Sequence, residues 1–292
     1  MPTLQTWLMA ARPKTLPAAV APVLIGTAMA YAEGHCSLLI AAATLLAALC
    51  IQIGTNFAND YFDFIHGTDT DERLGPTRVT QAGLVSLSAM RWATLISFLI
   101  AAGFGCILVF YGGWPILLIG VLSIAAGVLY TAGPFPLGYM GLGDILVLIF
   151  FGFIAVGGTY YLQAGTLNTA VLIAGVGPGL LSTAILAVNN LRDRETDTKT
   201  GKRTLAVRFG ARFAQYEYLL AILVTAGLPI ALCLMTADHY FSLIATPALL
   251  LTIPSVKRVF GRATGPELNA VLGATGRALF IYSALFSIGW IL

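Results

Sequence analysis

Charge is what this sequence has least of. Lys and Arg number 16 and Asp and Glu 13 among 292 residues, which is 10%, where soluble domains carry roughly 25%. With 58% of the residues hydrophobic, the chain cannot cover its surface with polar groups. That excludes an ordinary soluble fold and makes lipid the solvent. A net charge of +3 without a basic domain gives no electrostatic footprint for nucleic acid. Cysteine is sparse as well. Cys36, Cys50, Cys106 and Cys233 form no CxxC pair and read as small hydrophobes. His35, His66 and His239 have no metal-ligand spacing. No P-loop, dinucleotide fingerprint or Ser-His-Asp arrangement is present.

Long apolar runs are present instead. A membrane-spanning helix needs about 20 mostly apolar residues. Nine stretches qualify: 15–32, 38–62, 91–111, 114–131, 143–163, 168–190, 215–236, 239–256 and 270–291. Arg12, Lys14 and Ala28-Met29-Ala30 outline a cleavable leader. Pro17 and Pro22 interrupt its apolar run, so the segment is read as the first span. The basic residues sit in the N-terminal segment and in the loops after the second, sixth and eighth stretches. The opposite loops hold only Glu33, His35, Asp238 and His239. The positive-inside rule then places the N-terminus in the cytoplasm and the C-terminus outside. The expected fold is an all-α, multi-pass membrane protein of nine helices and a single domain, residues 1–292. Two polar loops, 63–90 and 191–214, each follow a helix ending in Asn and Asp, and four helices separate them. This suggests two related four-helix halves around a central cavity.

Those two helix ends carry the candidate chemistry. The first reads Asn56-Phe-Ala-Asn59-Asp60-Tyr61-Phe62-Asp63, followed by Asp69, Asp71, Glu72, Arg73 and Arg78. In a continuing helix Asn59 and Asp63 share one face. The second reads Asn189-Asn190-Leu191-Arg192-Asp193-Arg194-Glu195-Thr196-Asp197, followed by Lys199, Lys202 and Arg203. Asn190, Asp193 and Asp197 stand at i, i+3 and i+7, again one face. Magnesium prefers oxygen ligands and is commonly held by one or two carboxylates plus phosphates. Two such faces across a cavity suit a diphosphate gripped through magnesium, with Arg73, Arg78, Lys202 and Arg203 for the remaining phosphate oxygens. A single Asp here reads equally well as a helix-end cap. Two clusters repeating Asn-then-Asp on one side do not. Asp60, Asp71, Glu72 and Glu195 stay open, since pairing with neighbouring arginines explains them as well. A third segment, Tyr130 to Asp144, is broken by Gly133, Pro134, Pro136, Gly138 and Gly141. It is either a connector with Asp144 capping the next helix or a wall of the site. Tyr160, Tyr161 and Gln163 read as packing or interfacial anchors.

Asn59-Asp60-Tyr61-Phe62-Asp63 and Asp193-Arg-Glu-Thr-Asp197 resemble the two Asp-rich motifs of the UbiA superfamily of membrane prenyltransferases. Ala11-Arg-Pro-Lys-Thr-Leu16, the Arg-Leu-Gly-Pro-Thr-Arg ending at Arg78, Tyr130 to Asp144, and Gly201 to Arg208 are similar to its menaquinone-pathway branch. The resemblance implies nine helices around a lateral cavity, Mg2+ as cofactor, and a polyprenyl diphosphate donor. It implies Asn59, Asp63, Asn190, Asp193 and Asp197 as metal-diphosphate ligands, with Asp69 uncertain because the superfamily's usual second Asp falls at Gly67. It further implies 1,4-dihydroxy-2-naphthoate as acceptor, decarboxylated as it is prenylated to give demethylmenaquinone. The 4-hydroxybenzoate branch has a Lys soon after the tyrosine matching Tyr130. Here Pro134 and Phe135 stand in that region, and Arg78 and Lys202 are the candidate substitutes. Catalytic roles are expected for Asn59, Asp63, Asp193, Asp197 and Lys202. Arg12, Lys14 and Asp144 are candidates on the acceptor side. A bacterial cytoplasmic membrane with an inward-facing site follows from the resemblance and the charge bias. The rival readings are another aromatic prenyltransferase of the superfamily, such as one acting on 4-hydroxybenzoate, and a secondary transporter.

Overall fold

The computed structural model describes residues 2–68, 74–261, 263 and 265–292. Among these, every regular element is helical. The chain begins with α1 (Leu4–Ala11), a 3-10 turn (Pro13–Thr15), α2 (Pro17–Ala32), α3 (Leu38–Ile65) and α4 (Leu87–Leu129). Next, α5 (Gly143–Leu148) runs through a π-helical turn (Ile149–Ile154) into α6 (Ala155–Ala164), followed by α7 (Thr169–Lys199) and α8 (Leu205–Phe209). The remainder is α9 (Ala211–Thr236), a span of short 3-10 and α pieces containing α10 (Ala245–Ala248) and α11 (Ile253–Phe260), and α12 (Gly265–Ile291). Among the described residues, 7 helices are long and apolar enough to cross a membrane, or 8 if the pair Leu4–Thr15 and Pro17–Ala32, bent by 52°, counts as one span.

Local chemistry sets the ends. Thr3, Ser37, Ser86 and Asn168 precede α1, α3, α4 and α7, and each side chain accepts from a backbone N–H of the first turn. This satisfies donors a helix leaves open. Gly165 closes α6 in the left-handed region at φ 72°. At 43 residues α4 holds about twice the residues that one crossing of a ~30 Å hydrocarbon core needs. Gly113 breaks it at φ 66° and ψ −157°, a conformation open to glycine and costly for other residues. Leu87–Leu129 is thus two helices meeting at Gly113, as the separate stretches 91–111 and 114–131 led one to expect.

Two boundaries differ from expectation. The stretch 191–214 is not a loop: α7 continues to Lys199, and α8 and the start of α9 occupy most of the rest. No Gly or Pro stands between Gly179 and Gly201, so nothing stops the helix. Before α2 the chain forms α1, too short to register as a span, and Trp7 from it packs edge-on against Phe57 of α3 at 5.7 Å. The four cysteines are free, and Cys36 and Cys106 are exposed rather than packed.

At the centre stands α7, against α9, α12 and the π-helical turn. Gly152, Gly175 and Gly179 make that last contact possible. A Cβ on Gly152 would lie 2.8 Å from the Gly175 carbonyl oxygen, and one on Gly179 2.9 Å from that of Leu148. Small residues let backbones touch where lipid gives helices no hydrophobic reason to associate. At one end of the bundle Gln163 bonds both the N–H and the carbonyl of Ser37 (2.7 and 3.1 Å), and Tyr160 donates to Glu33. Tyr160 is buried and Gln163 is a tie between helix ends, rather than interfacial anchors.

Candidate active site

A cavity of about 700 Å³ lies between α2, α3, the second half of α4, α5 and α7. Asn59 and Asp63 reach it from α3, and Asn190, Asp193 and Asp197 from α7. Arg78, Lys202, Arg12 and Lys14 line it too. The two Asn/Asp faces thus meet across one space. Arg203 is not on its wall; its backbone N–H donates to the Tyr139 carbonyl at 2.7 Å. Asp69, Asp71, Glu72 and Arg73 lie outside the described residues.

Asp63 is the hub. It is 2% exposed, and a carboxylate so buried needs compensation. Arg78 Nη2 donates to it at 2.6 Å, Tyr139 Oη at 2.6 Å, Thr68 Oγ1 at 3.1 Å and Lys202 Nζ at 3.3 Å. The Lys202 ammonium also stands 4.4 Å from the centre of the Tyr139 ring, a cation–π contact. Arg78 is held in place by Asp60, whose carboxylate accepts from the backbone N–H of Val79 (3.3 Å) and Thr80 (3.1 Å). Asp60 is therefore a loop anchor rather than an arginine partner or a wall residue. Asn59 accepts from Thr131 Oγ1 at 3.0 Å.

The α7 face is organised by Arg192, which is buried. Its guanidinium grips Asp193 through Nε (2.7 Å) and Nη2 (2.5 Å), and also donates to Asn189 (2.7 Å) and to Asn269 of α12 (2.6 Å). Asn269 in turn donates to the Leu74 carbonyl at 3.1 Å, tying the loop before Arg78 to the same cluster.

Residues 130–142 form a wall of the site. Tyr130, Thr131, Gly138 and Tyr139 line the cavity. The ring of Tyr130 fits only because Gly138 and Gly143 have no side chains, since a Cβ on them would come within 2.6 and 2.7 Å of it. Burial pushes the Tyr130 phenol up, and the charges of Asp144, Asp63 and Asp197 push it further, so it stays an O–H donor. Asp144 makes no side-chain cap of α5 and does not reach the cavity wall. The opposite wall is the bend before α2. Asn56 Nδ2 donates to the Ala11 carbonyl (2.9 Å) and Thr15 Oγ1 (3.1 Å), and Thr15 Oγ1 donates to the Arg12 carbonyl (2.9 Å). These bonds hold Arg12 at φ 52°, an unusual value outside glycine.

Tyr139, Arg192 and Asn269 have no spacing signature. Arg192 is adjacent to Asp193, and neighbours in a helix do not face each other. It reaches the carboxylate by folding back along the helix surface. Tyr139 is one of two tyrosines in a glycine-rich segment, and only the fold aims it at Asp63.

For a metal the donor set is all oxygen: two amides and three carboxylates on two walls. Among the described residues no group of three His, Cys, Asp or Glu is gathered as a ready metal cage. All-oxygen donors are the kind magnesium takes, one or two carboxylates with phosphate oxygens completing the shell.

Residues 19–287 match the profile of the UbiA prenyltransferase family. A 1,4-dihydroxy-2-naphthoate octaprenyltransferase of Haemophilus influenzae is 37% identical over 98% of this chain and 96% of its own length. One from Mycobacterium tuberculosis is 38% identical over 97% and 96%. The solved structure of a UbiA homolog from Archaeoglobus fulgidus bound to DMAPP and Mg2+ shares the fold, with a TM-score of 0.67 and 17% identity over 97% of this chain and 99% of that one.

Proposed function

The chain belongs to the UbiA prenyltransferase family, and from that premise we propose that it transfers a polyprenyl group from its diphosphate to 1,4-dihydroxy-2-naphthoate with loss of CO2. One observation carries this reading: the Asn/Asp faces of α3 and α7 meet across a single cavity that also holds Arg78 and Lys202. Relatives that match nearly end to end at 37–38% identity bear the name of that activity.

The donor's diphosphate lies against Asn59, Asp63, Asn190, Asp193 and Asp197, the proposed magnesium ligands. Magnesium, when bound there, supplies positive charge against the leaving diphosphate. Arg78 and Lys202 pair with Asp63 and are close enough to give their donors to phosphate oxygens. Arg203 holds the Lys202 loop against residue 139. Ile51, Leu146, Phe150 and Phe151 line the rest of the cavity, where they take the isoprenoid chain and keep water from the allylic cation. The C–O bond to diphosphate breaks and a ring carbon forms the new C–C bond. The electron pair of the ring–carboxylate bond returns to the ring as CO2 leaves. The product is the quinol form of demethylmenaquinone, with no redox step and no protein nucleophile.

The membrane arrangement belongs to the same proposal. Broken at Gly113, α4 crosses twice, and with α2 as a span the bundle has nine crossings. The basic loops place the N-terminus and the cavity's polar end in the cytoplasm, the C-terminus outside, and the protein in a bacterial cytoplasmic membrane. Residues 1–292 form one domain, with α3 and α7 in equivalent places of two related halves.

Purified protein in detergent, given 1,4-dihydroxy-2-naphthoate, farnesyl diphosphate and magnesium, should yield a prenylated, decarboxylated product by mass spectrometry, and EDTA should abolish it. Product with 4-hydroxybenzoate alone would move the protein to another branch of the family. Within the site, Tyr139→Phe should raise the KM for the diphosphate roughly tenfold to a hundredfold, the scale of one hydrogen bond to a charged group. The phenyl ring keeps Lys202 in place, so an unchanged donor KM would remove Tyr139 from diphosphate binding.

A further inference from the structure

Two cations near the cavity have no acidic counterpart. Lys14, on the bend before α2, lines the cavity. Arg277 lies near the middle of the 25-residue apolar span Glu267–Ile291 and is exposed. Both side chains pass Gly273: a Cβ there would stand 3.7 Å from Lys14 Cδ and 3.8 Å from Arg277 Nη1, which leaves the two side chains within about 7.5 Å of one another across that position. Gly276 lets the bend come so close, since a Cβ on it would lie 2.9 Å from the Lys14 carbonyl oxygen. Arg78 and Lys202 are paired with Asp63, and Arg192 with Asp193. Among the described residues neither Lys14 nor Arg277 has an ion pair or side-chain hydrogen bond. An ionisable side chain inside a spanning segment is costly and is normally paired. Two like charges converging without a carboxylate are short of an anion.

We infer that Lys14 and Arg277 form a notch at the seam of the α2 bend and α12 that receives the carboxylate of the aromatic acceptor. This rests on the reaction proposed above. The position favours the acceptor over the donor. Asn269, which binds Arg192 beside Asp193, precedes Gly273 by one turn of α12, about 6 Å along the axis. On α3, Asn56 holds the bend and stands about one turn before Asn59 and two before Asp63. The notch therefore sits one turn deeper than both diphosphate-binding faces, where the ring must lie to meet the donor's allylic carbon. An acid placed there would be repelled by the nearby diphosphate unless cations of its own offset that charge. The notch also opens toward lipid through the exposed Arg277, which gives an amphiphilic acid a route in from the bilayer.

The test compares binding of 1-hydroxy-2-naphthoate and 1-naphthol to the purified protein and to the Lys14→Gln, Arg277→Gln double variant. The wild-type protein should prefer the acid at least about tenfold, and the double variant should lose that preference. In turnover the acceptor KM should rise by the same factor while the donor KM stays put. Lys14→Arg and Arg277→Lys, which keep the charge, should keep the preference. An undiminished preference in the double variant overturns the notch. So does loss of preference in the charge-keeping variants, and so does restoration of the double variant's acceptor KM by phosphatidylglycerol, which would make phospholipid phosphate the occupant. Selective binding of the acid by a wild-type protein that does not prenylate 1,4-dihydroxy-2-naphthoate would leave the notch standing and remove the reaction.

Discussion

Asp63→Asn should leave the protein folded in the membrane and cut turnover by roughly a thousandfold, the loss expected when a preorganised electrostatic contact to the reacting group is removed. The side chain keeps its shape, and its amide oxygen still accepts from Tyr139 or Arg78. The negative charge that Arg78 and Lys202 share is lost. Two consequences follow. The diphosphate loses the one carboxylate on the α3 face known to reach the cavity, and the cations that await it are no longer held in balance. The deficit should appear in kcat as well as in donor KM, and added magnesium should relieve it only in part. Asp60→Asn is the useful contrast. That carboxylate accepts two backbone N–H bonds and is off the cavity wall, so its loss loosens the Arg78 loop and should cost stability more than chemistry. Steady-state kinetics on both variants, with thermal unfolding as the folding control, decides the matter. Near-normal rates for Asp63→Asn would remove it from the diphosphate grip.

The largest loss of stability should come from Arg192→Ala, on the order of 3–5 kcal/mol, the cost of breaking a buried ion pair from one side. Arg192 makes two bonds to Asp193 and one each to Asn189 and Asn269, so its removal strands a buried carboxylate and unties α7 from α12. Arg192→Lys keeps the charge but cannot make the two-pronged contact, and should recover only part of the loss. Arg192→Met combined with Asp193→Leu should recover most of the stability, because an apolar pair replaces the charges together, and should have no activity. Unfolding in detergent followed by circular dichroism measures all three. A melting point for Arg192→Ala equal to that of the wild type would mean that the network carries no stability.

The candidate metal ligands were legible because they follow helical period. Asn190, Asp193 and Asp197 share one face because α7 runs on to Lys199, past the end expected at 190. Residues acting across elements were not legible. Tyr139 meets Asp63, and Lys14 comes up beside Gly273 of α12, through packing that leaves no periodic trace. Arg203 is the contrast: it follows Lys202 in the chain but is not on the cavity wall, and its backbone N–H donates to the Tyr139 carbonyl.

Composition and periodicity by themselves determined that this is a helical membrane protein with two Asn/Asp faces, because the length of an apolar run and the 3.6-residue repeat are properties of a few neighbouring residues. Only the tertiary structure decided which cations reach the cavity, that Asp60 anchors a loop, that Arg192 clamps Asp193, and that Lys14 lies beside Gly273 of α12. Those facts depend on the register between helices. Register is set by close backbone approach at Gly152, Gly175, Gly179 and Gly276, and a glycine in the sequence does not say which helix will come to rest against it.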